Sequence, residues 1–156
     1  MKLFLDTSIL SAYFDISKPL RQLVTVKWIK NDITSFEIFV SELVLQEIEN
    51  NSNQDLKDKM FTLLDSMSPI ILEIEEEVIV LAQKYRDKII KNEINDSIHI
   101  ATASVNKLDA IVSWNFRHIV NLKTMNAIHE INRENQYHTL EIVSIENLGG
   151  DSYGNI

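Results

Sequence analysis

Short apolar runs alternate with longer segments of helical spacing along almost the whole chain. A strand, a helix and a second strand in that order favour a parallel sheet covered by helices on both faces. We therefore expect an α/β protein with three α/β/α layers and a central, mainly parallel sheet. It should form a single domain over residues 1–148, with a disordered tail at 149–156. The predicted strands are Lys2–Leu5, Phe36–Val40, Ile70–Ile74, Ala110–Trp114 and Leu140–Ser144.

Capping residues and stop signals delimit the predicted helices. Pro19 is expected to open a helix that ends near Asn31 and Asp32, and Ser41 to cap one that stops at Asn50. Glutamates at 75–77 place negative charge in the first turn of a helix that reaches about Ile90, which suits the helix dipole. The remaining predicted helices begin at Thr7 and Ser8 or cover Gln54–Met67, Asn95–Lys107 and Leu122–Asn132.

Glycine is missing from the first 148 residues, because all three glycines of the chain lie at positions 149, 150 and 154. Phosphate-binding P-loops and dinucleotide fingerprints need glycines that let the backbone approach phosphates, so both classes are excluded. Asparagine tolerates left-handed backbone best after glycine. We expect the fourteen asparagines to occupy many of the left-handed turn and helix-cap positions.

Composition excludes further classes. The chain has no cysteine, so thiol catalysis, cysteine-ligated zinc and disulfides are excluded, and a reducing compartment is expected. The formal net charge of -8 argues against binding nucleic acid through the overall field, so such a contact must be local. No apolar stretch reaches 18 residues, and the apolar start is too short for a signal peptide. We expect a cytoplasmic protein with no membrane partner.

Polar residues directly after apolar runs are candidates for a functional site, because ligands bind outside the carboxyl ends of parallel strands. Asp6 follows the first strand, where it could be a metal ligand, a nucleophile or the cap of the next helix. Ser113 and Asn115 end the fourth strand, and Arg117 comes shortly after them. Serine and asparagine are also ordinary turn residues, so their position alone leaves both interpretations open.

Two acids on helices complete the candidate set. Asp96 opens a helix of small residues, where it either points into the crevice or stabilises the helix dipole. His99 lies one turn further along, as a hydrogen-bonding partner of a site residue or as a packed histidine. Glu47 lies mid-helix between apolar neighbours and faces either a cleft or solvent, and Glu42 and Glu49 compete with it for the same role.

The positions Asp6, Glu47, Asp96 and Asn115 come from different strand–helix units, as expected when a sheet gathers ligands from several strand ends. The sequence around them resembles the PIN-domain ribonuclease family, the fold of VapC-type toxins of bacterial toxin–antitoxin pairs. The resemblance spans nearly the whole chain. Its four stretches are LDTSIL at 5–10, VSELVLQEI at 40–48, NDSIHIATA at 95–103 and IVSWNFRHI at 111–119.

The resemblance implies hydrolysis of RNA phosphodiester bonds with Mg²⁺ or Mn²⁺. Asp6, Glu47 and Asp96 would be the metal-binding acids, and Asn115 stands where many family members carry a fourth aspartate. An amide oxygen can still be a ligand, but the lost charge should weaken a second metal. Carboxylate oxygens suit these ions, which lower the pKa of bound water and neutralise charge on the phosphate. No side-chain nucleophile is then needed.

Other residues would surround that centre. Thr7 or Ser8 would orient metal-bound water or a substrate phosphate, and Ser113, His99 and Arg117 complete the expected surroundings of the acids. Three neighbouring carboxylates repel one another until a cation binds. We therefore expect at least one raised carboxyl pKa in the protein without its ion, and stabilisation of the fold by Mg²⁺.

Two groups of basic residues are candidates for holding the RNA backbone. Arg117 and Lys123 lie near the expected rim of the site. The other group either binds RNA or forms a solvated helix face. That group consists of Lys84, Arg86, Lys88 and Lys91.

Three functions are open from the sequence. The first is a metal-dependent endoribonuclease, the toxin held inactive by a small antitoxin protein. The second is a PIN-like module that binds RNA or protein with little or no cleavage. The third is an unrelated α/β metal hydrolase acting on a small phosphorylated molecule. Apolar helix faces, including the one with Trp28, indicate either a homodimer or the protein core.

Overall fold

The computed structural model describes residues 1–148, and the expected tail at 149–156 lies outside the described residues. The strands are β1 (Lys2–Leu5), β2 (Glu37–Ser41), β3 (Ile70–Leu72), β4 (Ala110–Val112) and β5 (Glu141–Val143). The helices are α1 (Thr7–Ala12), α2 (Pro19–Asn31), α3 (Glu42–Glu49), α4 (Gln54–Ser66), α5 (Glu76–Lys88), α6 (Ile94–Val105) and α7 (Leu122–Glu134). Short 3₁₀ turns cover Ile33–Ser35 and Ile145–Leu148.

All five strands of residues 1–148 run parallel in one sheet, in the spatial order β3-β2-β1-β4-β5. The central strand β1 pairs Leu3 with Ile38 of β2 and with Ala110 of β4. The strand order changes direction after β3, so that β4 lies on the other side of β1. Ligands of open α/β sheets bind at such a switch point, here at the carboxyl ends of β1 and β4.

Two groups of helices cover the sheet. Helices α1 to α4 contact one another, and α5 contacts both α6 and α7. Connections between parallel strands are right-handed, and the order of strands reverses after β3, so the two groups lie on opposite faces. The expected three-layer α/β/α fold with a mainly parallel sheet is confirmed, and every strand pairing in it is parallel.

The core lies between these layers. Leu3, Phe4 and Leu5 of β1 are fully buried, as expected for a parallel strand covered on both faces. Trp28 and Ile29 of α2 are also buried, so the helix face with Trp28 belongs to the core and not to a homodimer surface. None of the helices within residues 1–148 is long and apolar enough to cross a membrane.

Some strands are shorter than predicted, because side chains take backbone groups out of the sheet. The amide of Ile74 donates to Glu42 Oε1 at 2.7 Å, and β3 ends at Leu72. The amide of Trp114 donates to Ser8 Oγ at 2.9 Å, which turns the chain away after β4. Each of these contacts joins residues far apart in the sequence.

Three helices end in left-handed backbone without glycine. Ser68, Lys107 and Gln136 have φ angles of 48°, 57° and 63°, and each follows the C-cap residue of its helix. After α6, the amide of Leu108 donates to the carbonyl of Ala103 at 3.0 Å, the six-residue bond of a Schellman motif. The expectation that asparagines occupy these positions is wrong, because none of the three is asparagine.

Asparagines instead serve as helix caps. Asn53 accepts from the amide of Leu56 at the start of α4, and Asn121 accepts from the amide of Thr124 at the start of α7. Short polar side chains at this position satisfy amides that have no partner within the helix. C-cap positions are held by Asn50, Asn106 and Asn135. The cap half of the expectation is therefore confirmed.

Candidate active site

Asp6 leaves β1 at the switch point and caps α1. Its Oδ1 accepts the amide of Ser8 at 3.1 Å and the Ser8 hydroxyl, and its Oδ2 accepts the Ser113 hydroxyl at 2.6 Å. The residue is 4% exposed. Burial raises the pKa of the Asp6 carboxyl, although the charge of His99 and the hydrogen bonds from Ser113 and Ser8 act in the opposite direction. The cap role is thus present, and it leaves a buried acid beside other acids.

Glu47 projects from α3 into a set of donors from two other helices. Its Oε1 contacts His99 Nε2 at 2.6 Å and the Thr7 hydroxyl at 2.7 Å, and its Oε2 accepts Asn95 Nδ2 at 3.2 Å. Burial alone would raise the pKa of Glu47, but the hydrogen bond and charge of His99, with the bonds from Thr7 and Asn95, lower it below its ordinary value. Glu47 is therefore held as an anion.

The two competing acids of α3 are engaged elsewhere. Glu42 accepts the amide of Ile74, and Glu49 pairs with Lys57 at 3.4 Å. Glu47 is the acid of this helix that contacts Thr7 of α1. The choice among the three acids, left open by the sequence, follows from these contacts.

Asp96 lies in the first turn of α6 beside the loop that follows β4. Its Oδ2 accepts Asn115 Nδ2 at 3.2 Å and lies 3.3 Å from His118 Nδ1. Burial raises the pKa of Asp96, the charge of Asp6 raises it further, and His99 and His118 oppose the shift. The pKa values of Asp6 and Asp96 are raised, as expected, but burial is the main cause and repulsion between carboxylates adds less to the shift.

Asn115 is oriented by its own loop. Its Oδ1 accepts the amide of His118 at 2.9 Å, and an amide hydrogen requires an oxygen as its partner. The Nδ2 group therefore faces Asp96. As the loop is folded, the side-chain oxygen that the sequence offered as a metal ligand accepts a hydrogen bond from the backbone, and the NH₂ group, which does not bind cations, is the part that faces Asp96.

His99 connects the three acids. It is 2% exposed, packs against Phe4 with ring centroids 5.7 Å apart, and contacts Glu47 through Nε2. Its charge acts on the pKa values of both Asp6 and Asp96. Both interpretations from the sequence, the packed histidine and the partner of a site residue, therefore apply. Its Nδ1 is buried and has no hydrogen-bond partner within residues 1–148.

The predicted hydroxyls hold the acids in place. Ser8 and Ser113 donate to Asp6, and Thr7 donates to Glu47. We expected Thr7 or Ser8 to orient water or phosphate. In the structure their hydroxyl hydrogens are directed at carboxylates, because α1 starts directly beneath the acids. Arg117 is exposed and lines a cavity together with Glu93 and His118.

Glu93 was not among the candidates from the sequence, and His118 was not among the candidate metal ligands. Glu93, Asp96 and His118 each offer one ligand atom, and these atoms all lie within 4.8 Å of one another. Glu93 stands three residues before Asp96, a spacing that places both on one side of a helix and that could have signalled it. His118 belongs to the polar residues that follow the fourth strand at the expected rim, but its approach to Asp96 depends on the fold of the loop after β4.

These donors fit a divalent cation. Carboxylate oxygens are the ligands that Mg²⁺ and Mn²⁺ prefer. Burial is the main cause of the raised pKa of Asp96, and a bound cation would offset the repulsion from Asp6 that adds to it. Glu93, Asp96 and His118 are the group whose ligand atoms the described residues bring within 4.8 Å of one another, and Asp96 belongs both to this group and to the expected ligands. The choice of Asp6, Glu47 and Asp96 as the residues that would hold the ion stays a prediction.

Comparisons with known proteins agree with this architecture. The sequence profile described as PIN domain matches residues 3–119. No curated protein matches the chain. One similar solved structure is a chain of VapBC2 from Rickettsia felis, crystallised with a DNA fragment from their promoter. It has a TM-score of 0.55, 13% sequence identity, and 92% of this chain and 98% of that chain covered.

A second similar structure is a chain of DNA-bound VapBC from Salmonella typhimurium. It has a TM-score of 0.54 and 14% identity, with 93% of this chain and 98% of that chain covered. At these identities the likeness concerns the fold alone, whereas the PIN domain profile covers most of the sequence. An α/β hydrolase unrelated to PIN domains is therefore excluded. The chain belongs to the PIN domain family.

Proposed function

We propose that the chain is an endoribonuclease that depends on Mg²⁺ or Mn²⁺. One observation carries the proposal: Asp6, Glu47 and Asp96 come from three separate elements and all interact with the buried His99. Its Nε2 lies 2.6 Å from Glu47 Oε1, and its charge acts on the pKa values of both aspartates. Proteins of the PIN domain family are nucleases. Buried acids with raised pKa values in a cleft are costly for stability and are typical of functional sites.

The side chains of the site have separate tasks in this proposal. A divalent cation held by Asp6, Asp96 and Glu47 supplies charge that neutralises the phosphate and lowers the pKa of the attacking water. Ser8 and Ser113 fix the direction of the Asp6 carboxylate. His99 Nε2 holds a proton against Glu47 Oε1 and so keeps this carboxylate oriented.

The partners follow from the same proposal. We propose that a small antitoxin protein holds the enzyme inactive in the cytoplasm, because the structures of similar fold come from VapBC assemblies. A short reading frame next to this gene, whose product co-purifies with the chain and blocks cleavage, is the expected finding. We also retain the homodimer as a proposal, to be measured by light scattering during size-exclusion chromatography.

The test of the proposed activity is RNA cleavage with and without Mn²⁺. Structured RNA incubated with the full chain should be cut only when the ion is present. Asp6→Asn and Asp96→Asn should each lower the rate at least about 100-fold, because each removes a charge that binds the ion. Glu49→Gln is the matched control, since this acid of α3 pairs with Lys57. Cleavage that survives in both aspartate variants would contradict the proposed site.

The alternative is a PIN-like module that binds RNA or protein and cleaves little. The orientation of Asn115 favours it, because an amide bound to the backbone of His118 contributes no charge to a second ion. RNA that binds the chain without being cut under any divalent ion would support the module. Cleavage that requires Asp6 would reject it.

A further inference from the structure

We call the site of Asp6, Glu47 and Asp96 the acidic centre. A cavity of about 330 Å³ adjoins it on the side of Asp96, because Glu93 and His118, which cluster with Asp96, also line the cavity. Lys91, Arg117 and Lys123 line it, together with Glu93 and His118. We call it the basic cavity. Its volume lies in the range of about 300–1,000 Å³ that is usual for ligand sites. It opens between the loop after α5, the loop after β4 and the start of α7.

Three cations in one cavity are unusual for a chain with a formal net charge of -8 and 15 basic residues. Lys91, Arg117 and Lys123 form no salt bridge with any residue of the described range 1–148. Glu93 is the acid that lines the cavity with these three cations, so the lining carries a net positive charge and attracts an anion.

The other basic residues of the same region are already engaged. Lys84 donates to Asn135 Oδ1, Arg86 donates to Ser97 Oγ at 2.7 Å, and Lys88 pairs with Glu130 Oε2 at 2.7 Å. The basic residues that the sequence offered for holding RNA therefore fall into two groups. One group is bound to other residues of the protein, and the other group lines the basic cavity.

Position indicates which anion the basic cavity takes. Glu93 and His118 line the cavity and also belong to the cluster with Asp96. The Glu93 carboxylate repels a free anion, but a cation bound at the proposed site would offset its charge, because Asp96 belongs both to that site and to the cluster with Glu93. An anion in the cavity therefore lies directly beside the bound ion. The amino-terminal end of α7 adds the positive end of a helix dipole at Lys123.

We propose that the basic cavity binds a phosphate of the RNA strand next to the phosphate that is cleaved, with Lys91, Arg117 and Lys123 as positioning residues. This inference rests on the proposed nuclease function. The continuity of the cavity with the acidic centre favours a nucleic-acid backbone, whose successive phosphates enter both places together, over the acidic segment of a protein.

The test measures RNA binding in the Asp6→Asn background, in which we expect cleavage to be at least about 100-fold slower. Fluorescence anisotropy with a labelled single-stranded RNA gives the affinity at several KCl concentrations. Lys91→Ala, Arg117→Ala and Lys123→Ala should each weaken binding about three- to fivefold. Each should also reduce the slope of log affinity against log salt by about 0.7, because each removes one phosphate contact. Lys84→Ala and Lys88→Ala are matched controls and should leave both quantities unchanged.

Cleavage kinetics provide a second measurement. In the chain that retains Asp6, the three variants should raise KM more than they lower kcat, since they act on binding of the strand. The shift of melting temperature with Mn²⁺ should stay as in the parent. A variant that lost the fold or the ion would instead lose this shift.

The outcomes separate the two proposals. If the three variants bind RNA as tightly as the Asp6→Asn protein does, and the chain with Asp6 cleaves RNA, the proposal for the basic cavity is overturned and the nuclease proposal stands. A parent that neither binds nor cleaves RNA would overturn both. Polyglutamate is the probe for an acidic protein segment. If it binds the Asp6→Asn protein more tightly than RNA of equal charge does, and if combining the three alanine changes abolishes this binding, the cavity takes an acidic segment and the RNA proposal is overturned.

Discussion

Asp6 shows how a single residue can serve the site at the expense of stability. Its pKa is raised in the folded state, so its contribution to stability is fully present below the unfolded pKa and is lost as the pH rises through the folded value. Asp6→Asn removes the cost of the buried charge at neutral pH. The amide oxygen and nitrogen can still form hydrogen bonds with the hydroxyls of Ser8 and Ser113. We expect it to raise the free energy of unfolding by about 1 kcal/mol at pH 7.

Urea denaturation at two pH values checks this expectation. The gain of Asp6→Asn should disappear near pH 3, where the carboxyl is protonated in both the folded and the unfolded chain. Asp65→Asn, on the exposed surface of α4, should change little at either pH. A destabilised Asp6→Asn variant at pH 7 would mean that the hydrogen bonds outweigh the cost of burying the charge.

Asn115→Asp tests the departure from the family pattern. The new carboxylate would face Asp96 across a contact of 3.2 Å, where an amide now donates. We expect a loss of about 1 kcal/mol in stability without divalent ion. The variant should bind Mn²⁺ about tenfold more tightly than the parent chain does, a gain of about 1.4 kcal/mol in binding free energy. Calorimetric titration measures the affinity, and Asn126→Asp, on the exposed side of α7, is the control.

The acids of the site were predictable from local patterns, but their surroundings were not. Asp6 directly follows an apolar run, and Asp96 opens a helix in a stretch that resembles the family. The role of His118 depends on Asn115 accepting its amide, which folds the loop back toward Asp96. Such contacts between loop and helix have no periodic signal in the sequence.

At the scale of elements, the helix ends without glycine give a direct prediction. Lys107 adopts φ of 57° after α6, where a side chain costs about 1 kcal/mol that glycine does not pay. Lys107→Gly should therefore raise the free energy of unfolding by about 0.5–1 kcal/mol, after the larger entropy of the unfolded glycine chain is subtracted. Thermal denaturation measures the change. Lys107→Ala should show no gain, and a gain in both variants would point to the lysine charge instead.

A buried polar cluster joins α5, α6 and α7 and so holds the helix that carries Asp96. Tyr85 contacts Ser104 Oγ at 3.1 Å and also donates to Asn132, while Asn132 Nδ2 donates to Ser104 Oγ at 3.0 Å. Tyr85→Phe leaves the other two partly unsatisfied. It should cost about 1–3 kcal/mol in urea denaturation.

Tyr137→Phe is the matched change, because its hydroxyl donates to Glu77 at the exposed surface. It should stay within about 0.5 kcal/mol of the parent, as is usual for surface positions. Equal effects of the two tyrosine changes would contradict a structural role of the buried cluster.

Element types were more predictable than element ends. The apolar run at residues 2–5 matches β1, and Gln54–Met67 differs from α4 by one residue. The run Ile70–Ile74 is partly exposed in an edge strand, and it ends early because the Glu42 side chain takes the amide of Ile74. Periodicity reports burial along a segment, whereas the last residue of a strand depends on a distant partner.

For the whole molecule, we expect stabilisation by divalent ions. Acids that repel one another in the folded chain bind a cation that the unfolded chain does not bind, so the fold is favoured by mass action. At an ion concentration of about 100 times the dissociation constant, the gain is about 2.7 kcal/mol. Scanning calorimetry with Mg²⁺ or Mn²⁺ should show a rise in melting temperature of about 5–10 °C for a chain of this size.

Asp96→Asn should lose most of this rise, and Glu49→Gln should keep it, because Glu49 is paired with Lys57 outside the site. A melting temperature unmoved by millimolar divalent ion would count against the acidic centre as a metal site, whatever the outcome of the cleavage assay.

The central place of β1 in the sheet also governs when the acidic centre forms during synthesis. Asp6 is translated 107 residues before its partner Ser113, and β4 must pair with β1 before the two meet. A growing polypeptide on the ribosome therefore cannot complete the hydrogen bonds of Asp6 until β4 and Ser113 have been translated. In a cell that makes this proposed nuclease, the delay protects the messenger being read and the ribosomal RNA beside it.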